Sequence, residues 1–119
     1  TNKARALSVI GKYTSQQGDI SQEHDRYLAT LYAEGVLIFV DTPAFYSLLD
    51  RADANHVAAS ERWRRLVADD VELVTSNYIL VETTALVQGR LGMAAARDFH
   101  EDIMPLLTVY WVDSRAVKT

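Results

Sequence analysis

The feature that most constrains the fold is an unbroken apolar run at residues 36–40 that ends directly on an acid. Five consecutive aliphatic and aromatic residues are too few for a helix and fit a strand that is buried on both faces of a parallel sheet. Such a strand is usually central in its sheet. Asp41 follows, with Thr42 suited to cap a helix and Pro43 suited to the first helical position. The side chain of Asp41 is therefore predicted at the carboxyl end of a strand.

The rest of this part of the chain alternates between helical and strand-like patterns. Helices are predicted at residues 43–49, at 56–68, at about 78–90 after a cap at Ser76-Asn77, and at about 93–104, where Pro105 ends the last one. Strands are predicted at 71–75 and 108–112. Strands that alternate with helices imply crossover connections and a central parallel sheet flanked by helices, an α/β fold.

Composition limits the kinds of site that the chain can build. With 119 residues one domain is expected, and no apolar stretch approaches the roughly 18 residues that cross a bilayer. No membrane segment and a cytoplasmic location are therefore predicted. The chain has no cysteine, so a metal would need carboxylate, histidine or carbonyl ligands. The net charge is −4, and the acidic excess lies after residue 35, which argues against a surface that coats nucleic acid through broad basic contacts.

The first 35 residues differ from the remainder, and we predict an arm at 1–35 followed by an α/β domain at 36–119. The middle of this arm is polar and rich in turn-forming residues. A helix is predicted from about residue 22 to residue 33, between Ser21 as its cap and Gly35 at its exit. Its apolar stripe must dock on another surface and consists of Tyr27, Leu28, Leu31 and Tyr32.

Two acids are the main candidates for chemistry. Ligands of open parallel sheets bind beyond the carboxyl ends of the strands, where Asp41 is predicted, although Asp41 could instead help to cap the next helix. Glu82 is the single charge in residues 78–88, and its predicted helix neighbours are Tyr78, Ala85 and Leu86. A buried carboxylate there would need a metal, a proton or an arginine. The alternative to a metal is a buried ion pair with Arg51, Arg62 or Arg90.

Other polar residues favour structural roles. Asp113 follows the third predicted strand and is read first as a helix cap. Ser76 and Asn77 are read first as a cap and second as contacts to a phosphate or a metal-bound water. The three histidines lack the spacing of a ligand pair and are predicted at the surface: His24, His56 and His100.

Residues 39–50, followed by 75–83 and 88–92, resemble the PIN-domain ribonucleases, specifically toxins of the VapC type. The resemblance implies a three-layer PIN-like domain and an endoribonuclease of a type II toxin-antitoxin system that requires Mg²⁺ or Mn²⁺. Asp41 and Glu82 match the first two acidic metal ligands and would be the catalytic residues. Thr42 matches the hydroxyl residue that usually follows the first acid, whereas Pro43 departs mildly from the small residue common there.

The family pattern continues past the third strand to at least one more essential acid, and the sequence ends at Thr119. Nothing after Asp113 supplies that ligand. The alternative expectation is therefore a catalytically incomplete toxin fragment that acts as a self-inhibited toxin-antitoxin binding module.

Residues 9–13 and 18–28 resemble the toxin-binding tail of the partner antitoxin of the VapB type. The implied partners are an RNA substrate and an antitoxin-like segment, supplied in cis by residues 1–35 or in trans. In such a tail a basic residue, here Arg5 or Lys12, could reach the acids. Exposed apolar helices also predict a homodimer. A third class, a phosphoacceptor or small-molecule domain, predicts further acids near Asp41 and a lysine after a later strand, and neither is present.

Overall fold

The computed structural model describes residues 1–15 and 37–113. These residues form an α/β fold with five α-helices and three strands. In chain order the elements are α1 (Asn2–Ser8), β1 (Leu37–Phe39), α2 (Thr42–Leu49), α3 (His56–Ala68), β2 (Glu72–Ser76), α4 (Asn77–Leu91), α5 (Met93–Asp98) and β3 (Leu107–Tyr110). The predicted helix at residues 22–33 and residue Val36 lie outside the described residues.

The predicted parallel sheet is confirmed, with the strand order β1-β2-β3 and both pairs parallel. Ile38 pairs with Leu73, and Leu73 pairs with Leu107. Paired residues point to the same face, so these three form one apolar row across the sheet. The expectation that β1 is central is wrong for the described sheet, because β3 adds to the far side of β2 and leaves β1 at an edge.

The connection from β1 to β2 and the connection from β2 to β3 run in the same direction across the sheet. Right-handed connections in one direction place their helices on the same face. The start of α2 accordingly touches the middle of α4, where the Thr83 hydroxyl donates to the Thr42 hydroxyl over 3.0 Å. This contact between helices from successive crossovers assembles the candidate site, while the full three-layer arrangement stays a prediction.

Most predicted boundaries agree with the observed elements to within two residues. The predicted helix at 56–68 matches α3, and α4 ends at Gly92, whose φ of 102° favours glycine. The single helix predicted at 93–104 is instead α5 followed by a π-helical turn, Phe99–Ile103, and a 3₁₀ turn, Met104–Leu106. Pro105 cannot donate a backbone hydrogen bond, so the regular ladder does not continue through it.

The core lies between the sheet and the helices. Its largest fully buried side chains include Trp63, Tyr46 and the edge-to-face pair Phe45 and Phe99, whose ring centroids are 5.1 Å apart. Such aromatic pairs stabilise a core beyond the area that they bury. The predicted inward positions of α2, including Leu48, are therefore confirmed as core positions.

The first fifteen residues pack into the same core, and α1 is a helix that the sequence patterns did not predict. Ala6 and Val9 are fully buried, and the Trp63 indole donates to the Ala6 carbonyl over 3.4 Å. The Gly11 backbone donates to the Leu48 carbonyl over 2.7 Å. The φ of Gly11 is +66°, and a Cβ added there would lie 2.9 Å from the ring of His56. Glycine at position 11 therefore permits this close contact.

None of the helices in the described ranges combines the length and the apolar character that a membrane-crossing segment needs.

Candidate functional site

The site is built around the junction between β1 and α2. Asp41 occupies the N-cap position of α2, and its carbonyl accepts from the backbone of Ala44 over 3.1 Å and of Phe45 over 3.3 Å. Its side chain makes no capping hydrogen bond to the helix. The alternative interpretation of Asp41 as a side-chain cap is therefore not supported. The predicted capping role of Thr42 is also wrong, because Thr42 is already the first helical residue.

The hydroxyl of Thr42 faces α4 instead. It donates to Oε1 of Glu82 over 3.1 Å and accepts from the Thr83 hydroxyl over 3.0 Å. Thr83 is fully buried and Thr42 nearly so, which holds the hydroxyl pair in place. The residue next to Asp41 thus contacts Glu82 directly, so the structure brings the two predicted site acids to the same region.

Glu82 itself is exposed, and the expectation that it is buried is wrong. Its helix neighbour Tyr78 is 52% exposed, so this face of α4 is open rather than covered. Among the described residues Glu82 forms no ion pair with an arginine. The expected ion pair with Arg51, Arg62 or Arg90 is therefore not formed among these residues. The carboxylate of Glu82 is therefore oriented by a hydroxyl and remains accessible to a cation from solvent.

The carboxyl ends of β2 and β3 lie at the same edge of the sheet as this junction, with that of β2 next to it. Ser76 caps α4 as predicted, accepting from the Ile79 backbone over 3.2 Å. The Asn77 amide donates to the Val112 carbonyl over 3.0 Å, and its oxygen accepts from the Val112 backbone over 2.7 Å. Asn77 therefore holds the segment after β3 against the start of α4. The exposed Asp113 follows that segment, and any helix that it would cap lies outside the described residues.

The described acids can be compared with the two common types of metal site, an open Mg²⁺ site with few protein ligands and a Ca²⁺ cage with many. Within residues 1–15 and 37–113, no group of three or more histidine, aspartate or glutamate side chains is placed to hold a metal. Mg²⁺ is commonly held by one or two carboxylates and completes its shell with water and substrate phosphate oxygens. Asp41 and Glu82 are two carboxylates, the type of ligand that such an open arrangement uses. They do not form the many-ligand cage typical of a structural Ca²⁺ site.

A second polar cluster, which the sequence patterns did not single out, lies at the other end of α2. The fully buried Asp50 accepts from the Tyr46 hydroxyl over 2.6 Å and from the backbones of Ser15 and Ala52 over 2.9 Å each. Burial alone would raise the pKa of Asp50, but these hydrogen bonds outweigh it and lower the pKa. The cluster fastens residues 1–15 to α2 and has a structural role.

The basic residues of the first segment do not reach the candidate site. Arg5 pairs with Asp102 over 3.1 Å, and Lys12 pairs with Asp98 over 2.8 Å. The Tyr13 hydroxyl also donates to Asp98. The expectation that Arg5 or Lys12 contacts Asp41 and Glu82 is therefore wrong. Asp98 and Asp102, at the end of α5 and in the turn after it, attract these cations.

The predicted surface position of the histidines holds for one of the two that are described. His56 is partly buried, and its Nδ1 lies 2.7 Å from the Ser47 carbonyl. It packs under Gly11 and is structural. His100 is exposed, with its Nε2 2.8 Å from the Thr84 hydroxyl.

In comparisons with known proteins, no family model matches the chain, and no curated protein and no solved structure matches it significantly. The functional interpretation therefore depends on the geometry of the site and on the sequence motifs. The central geometric feature is the hydrogen bond between Thr42 and Glu82 beside the strand-end Asp41.

Proposed function

We propose that the protein is a PIN-domain ribonuclease of the VapC type, a metal-dependent endoribonuclease toxin that hydrolyses RNA phosphodiester bonds. The observation that supports this most is the 3.1 Å hydrogen bond from Thr42 to Glu82, which brings the Glu82 carboxylate next to the residue that follows the strand-end Asp41. The carboxyl end of the strands is where ligands bind in open parallel α/β folds.

Each residue of the site has a defined part in this proposal. Asp41 and Glu82 would hold Mg²⁺ or Mn²⁺. The bound ion would lower the pKa of a coordinated water and offset the charge that builds on the scissile phosphate. Thr42 orients Glu82, and Thr83 orients Thr42. Residues that hydrogen-bond to metal ligands strongly affect the metal affinity of such sites.

The charge of the chain agrees with a cation-dependent contact to RNA. The net charge is −4, and two carboxylates at the site repel a phosphate when no cation is bound. A divalent cation reverses the local charge. Binding of RNA at this site should therefore depend on the metal, and this distinguishes the proposal from binding through a basic surface.

A second candidate function is a self-inhibited toxin-antitoxin binding module. It is favoured by the docking of residues 1–15, which bury Ala6 and Val9 and place Arg5 and Lys12 on Asp102 and Asp98. An antitoxin-like segment in cis would make such contacts. These basic residues are engaged with α5 and the turn after it, so inhibition by this segment would not use a direct charge contact to Asp41 or Glu82.

The enzyme proposal is tested by RNA cleavage with Mg²⁺ or Mn²⁺ in the intact chain and in Asp41→Asn and Glu82→Gln. Both variants should lose cleavage and should bind Mn²⁺ more weakly in calorimetric titration. Glu72→Gln is the matched control, because Glu72 is an exposed glutamate at the amino end of β2, opposite to the site. Cleavage that is independent of metal, or equal in all three variants, would contradict the proposal.

The second candidate is tested by loosening the docked segment with Arg5→Glu and Lys12→Glu together. Hydrogen exchange at residues 1–15 should accelerate, and the binding-module candidate predicts that the protein then exposes apolar surface, measured by dye binding, and loses unfolding free energy. A loosened segment that leaves dye binding and stability unchanged would exclude self-inhibition by residues 1–15. The control is Ser8→Glu, which introduces an acid at an exposed position of the same helix that has no acidic partner.

A further inference from the structure

The exposed half of α3 carries a group of arginines that the candidate site does not use. Trp63, in the middle of this helix, is fully buried against the core. At about 100° per residue, the positions on either side of Trp63 and the position two after it turn away from the core. All three positions are occupied by exposed arginines, Arg62, Arg64 and Arg65. The packing of one aromatic ring therefore holds three cations at the surface.

These arginines have acidic neighbours along the helix but do not pair with them. Glu61 lies four positions before Arg65, and Asp69 lies four positions after it, a spacing at which opposite charges can meet on a helix. Within residues 1–15 and 37–113, none of the three arginines of α3 forms an ion pair. Their guanidinium groups are therefore open to a ligand that approaches from solvent.

The charge of this part of α3 contrasts with that of the chain. Residues 61–65 carry three positive side chains and one negative side chain, whereas the whole chain has a net charge of −4. Other acids are engaged away from this helix, as Asp98 and Asp102 are with the first segment. A positive patch on an acidic protein attracts an anion locally and orients it as it approaches. The patch is small, so it is consistent with the lack of a broad basic surface.

The start of α3 is fixed to the helix that begins at the candidate site. Nδ1 of His56, the first residue of α3, lies 2.7 Å from the Ser47 carbonyl of α2. Because α2 has 8 residues and begins at Thr42, the start of α3 lies roughly 12 Å from the site, and Arg62 lies about 9 Å farther along α3. Single-strand-binding domains cover about 4–16 nucleotides, so one strand of nucleic acid can reach both places.

We propose that Arg62, Arg64 and Arg65 bind phosphate groups of the RNA backbone that flank the scissile phosphate. This inference rests on the proposed ribonuclease function and extends it from the cleavage site to the rest of the substrate. Arginine suits this role, because its planar guanidinium stays charged and donates two parallel hydrogen bonds to a phosphate. Such contacts add affinity but carry no base preference. The metal is still required, because without a cation Asp41 and Glu82 repel the scissile phosphate.

Binding of a labelled single-stranded RNA dodecamer tests the patch directly. Without divalent metal no cleavage occurs and the candidate site repels phosphate, so the arginines of α3 are the main contact that remains. The α3 variant replaces all three arginines and is Arg62→Gln, Arg64→Gln and Arg65→Gln. It should bind at least about tenfold more weakly at low salt, and the slope of log affinity against log salt should become shallower by about 2. Lysine at the same positions keeps the charge and should keep the slope.

A matched control removes the same charge outside α3. It replaces three other arginines and is Arg51→Gln, Arg90→Gln and Arg97→Gln. This control should keep the salt slope of the intact chain, and far-ultraviolet circular dichroism should show that all variants are folded. An equal loss in both triple variants, or an unchanged slope in the α3 variant, would overturn the proposal. So would poly-glutamate that competes for the patch as well as RNA does, because the patch would then fit an acidic polypeptide.

Steady-state cleavage with Mn²⁺ separates the patch from the chemistry. The α3 variant should raise KM about tenfold with kcat unchanged, because flanking contacts hold the substrate and the transition state equally. Its Mn²⁺ affinity should equal that of the intact chain, whereas Asp41→Asn should lose both Mn²⁺ binding and cleavage. A lower kcat at unchanged KM in the α3 variant would overturn the binding role. An intact chain that does not cleave contradicts the proposed function, and the salt slope then still decides whether the patch binds RNA.

Discussion

The hydroxyl of Thr42 lies 3.1 Å from Oε1 of Glu82, and this hydrogen bond joins the first residue of α2 to the middle of α4. The two residues are 40 positions apart. Because Asp41 precedes Thr42, the same bond fixes the position of Glu82 relative to the end of β1. The candidate site therefore depends on a hydroxyl that is not itself an acidic ligand.

Replacing Thr42 with valine keeps the shape of the side chain and removes this hydroxyl. We expect Thr42→Val to cost about 1–2 kcal/mol of unfolding free energy, because the buried Thr83 hydroxyl loses its acceptor. Mn²⁺ affinity should fall about 10- to 100-fold, since Glu82 is no longer oriented. Denaturant unfolding and calorimetric Mn²⁺ titration measure the two effects. Thr42→Ser keeps the hydroxyl and should retain both; a Thr42→Val protein that binds Mn²⁺ normally would argue against the orienting role.

Acid should weaken the docking of residues 1–15 before it unfolds the rest. Burial acts to raise the pKa of Asp98, but hydrogen bonds from Lys12 and Tyr13 outweigh it, and the pKa is lowered as it is for Asp50. A carboxylate with a lowered pKa stabilises the fold at pH values above 3.8, its ordinary pKa. This contribution is lost as the pH falls through the lower pKa of the folded state.

Both carboxylates hold the first segment, so hydrogen exchange at residues 1–15 should accelerate below about pH 4. The measurement compares the intact chain with Asp50→Asn, which cannot carry the charge. Asp50→Asn should show faster exchange of Ser15 already at neutral pH, because Asp50 accepts from the Ser15 backbone. Protection of this segment that is unchanged between pH 7 and pH 3 would contradict the role of the two acids.

Trp63 should contribute strongly to stability because it ties α1 to α3. It is fully buried, and its indole donates to the Ala6 carbonyl. Trp63→Ala should cost about 3–5 kcal/mol and should release residues 1–15 to exchange. Trp111→Ala is the control, since Trp111 is 81% exposed, and should change monomer stability by less than about 0.5 kcal/mol. Denaturant unfolding at low protein concentration separates this effect from dimerisation.

Asn77 should determine the order of the segment after β3. Asn77→Ala removes both hydrogen bonds to Val112, so we expect the Val112 amide to exchange faster by a factor of about 10, the effect of roughly 1.4 kcal/mol. Ser76→Ala is the comparison, because it removes the cap of α4 at a cost of about 1 kcal/mol but leaves the bonds to Val112. Equal protection of Val112 in the two variants would contradict the pinning role of Asn77.

The helices and strands were largely predictable because their signals are local. The apolar run before Asp41, the stripe of α3 and the stop at Gly92 each depend on neighbouring residues. The missed helix α1 is seven residues long and carries too few apolar positions to show a period. It exists because Ala6 and Val9 fit against Trp63, and that contact spans 57 positions in the chain.

The sequence by itself determined that Asp41 stands at the end of a strand and that Glu82 lies on the helix after the second strand, because strand and helix periods position residues along their own element. Only the tertiary structure decided that Glu82 is exposed, that Thr42 contacts it, and that Arg5 and Lys12 turn to Asp102 and Asp98 instead. The physical reason is that burial and pairing depend on which elements pack together. Periodicity along one helix cannot distinguish a face that is covered from one that is open.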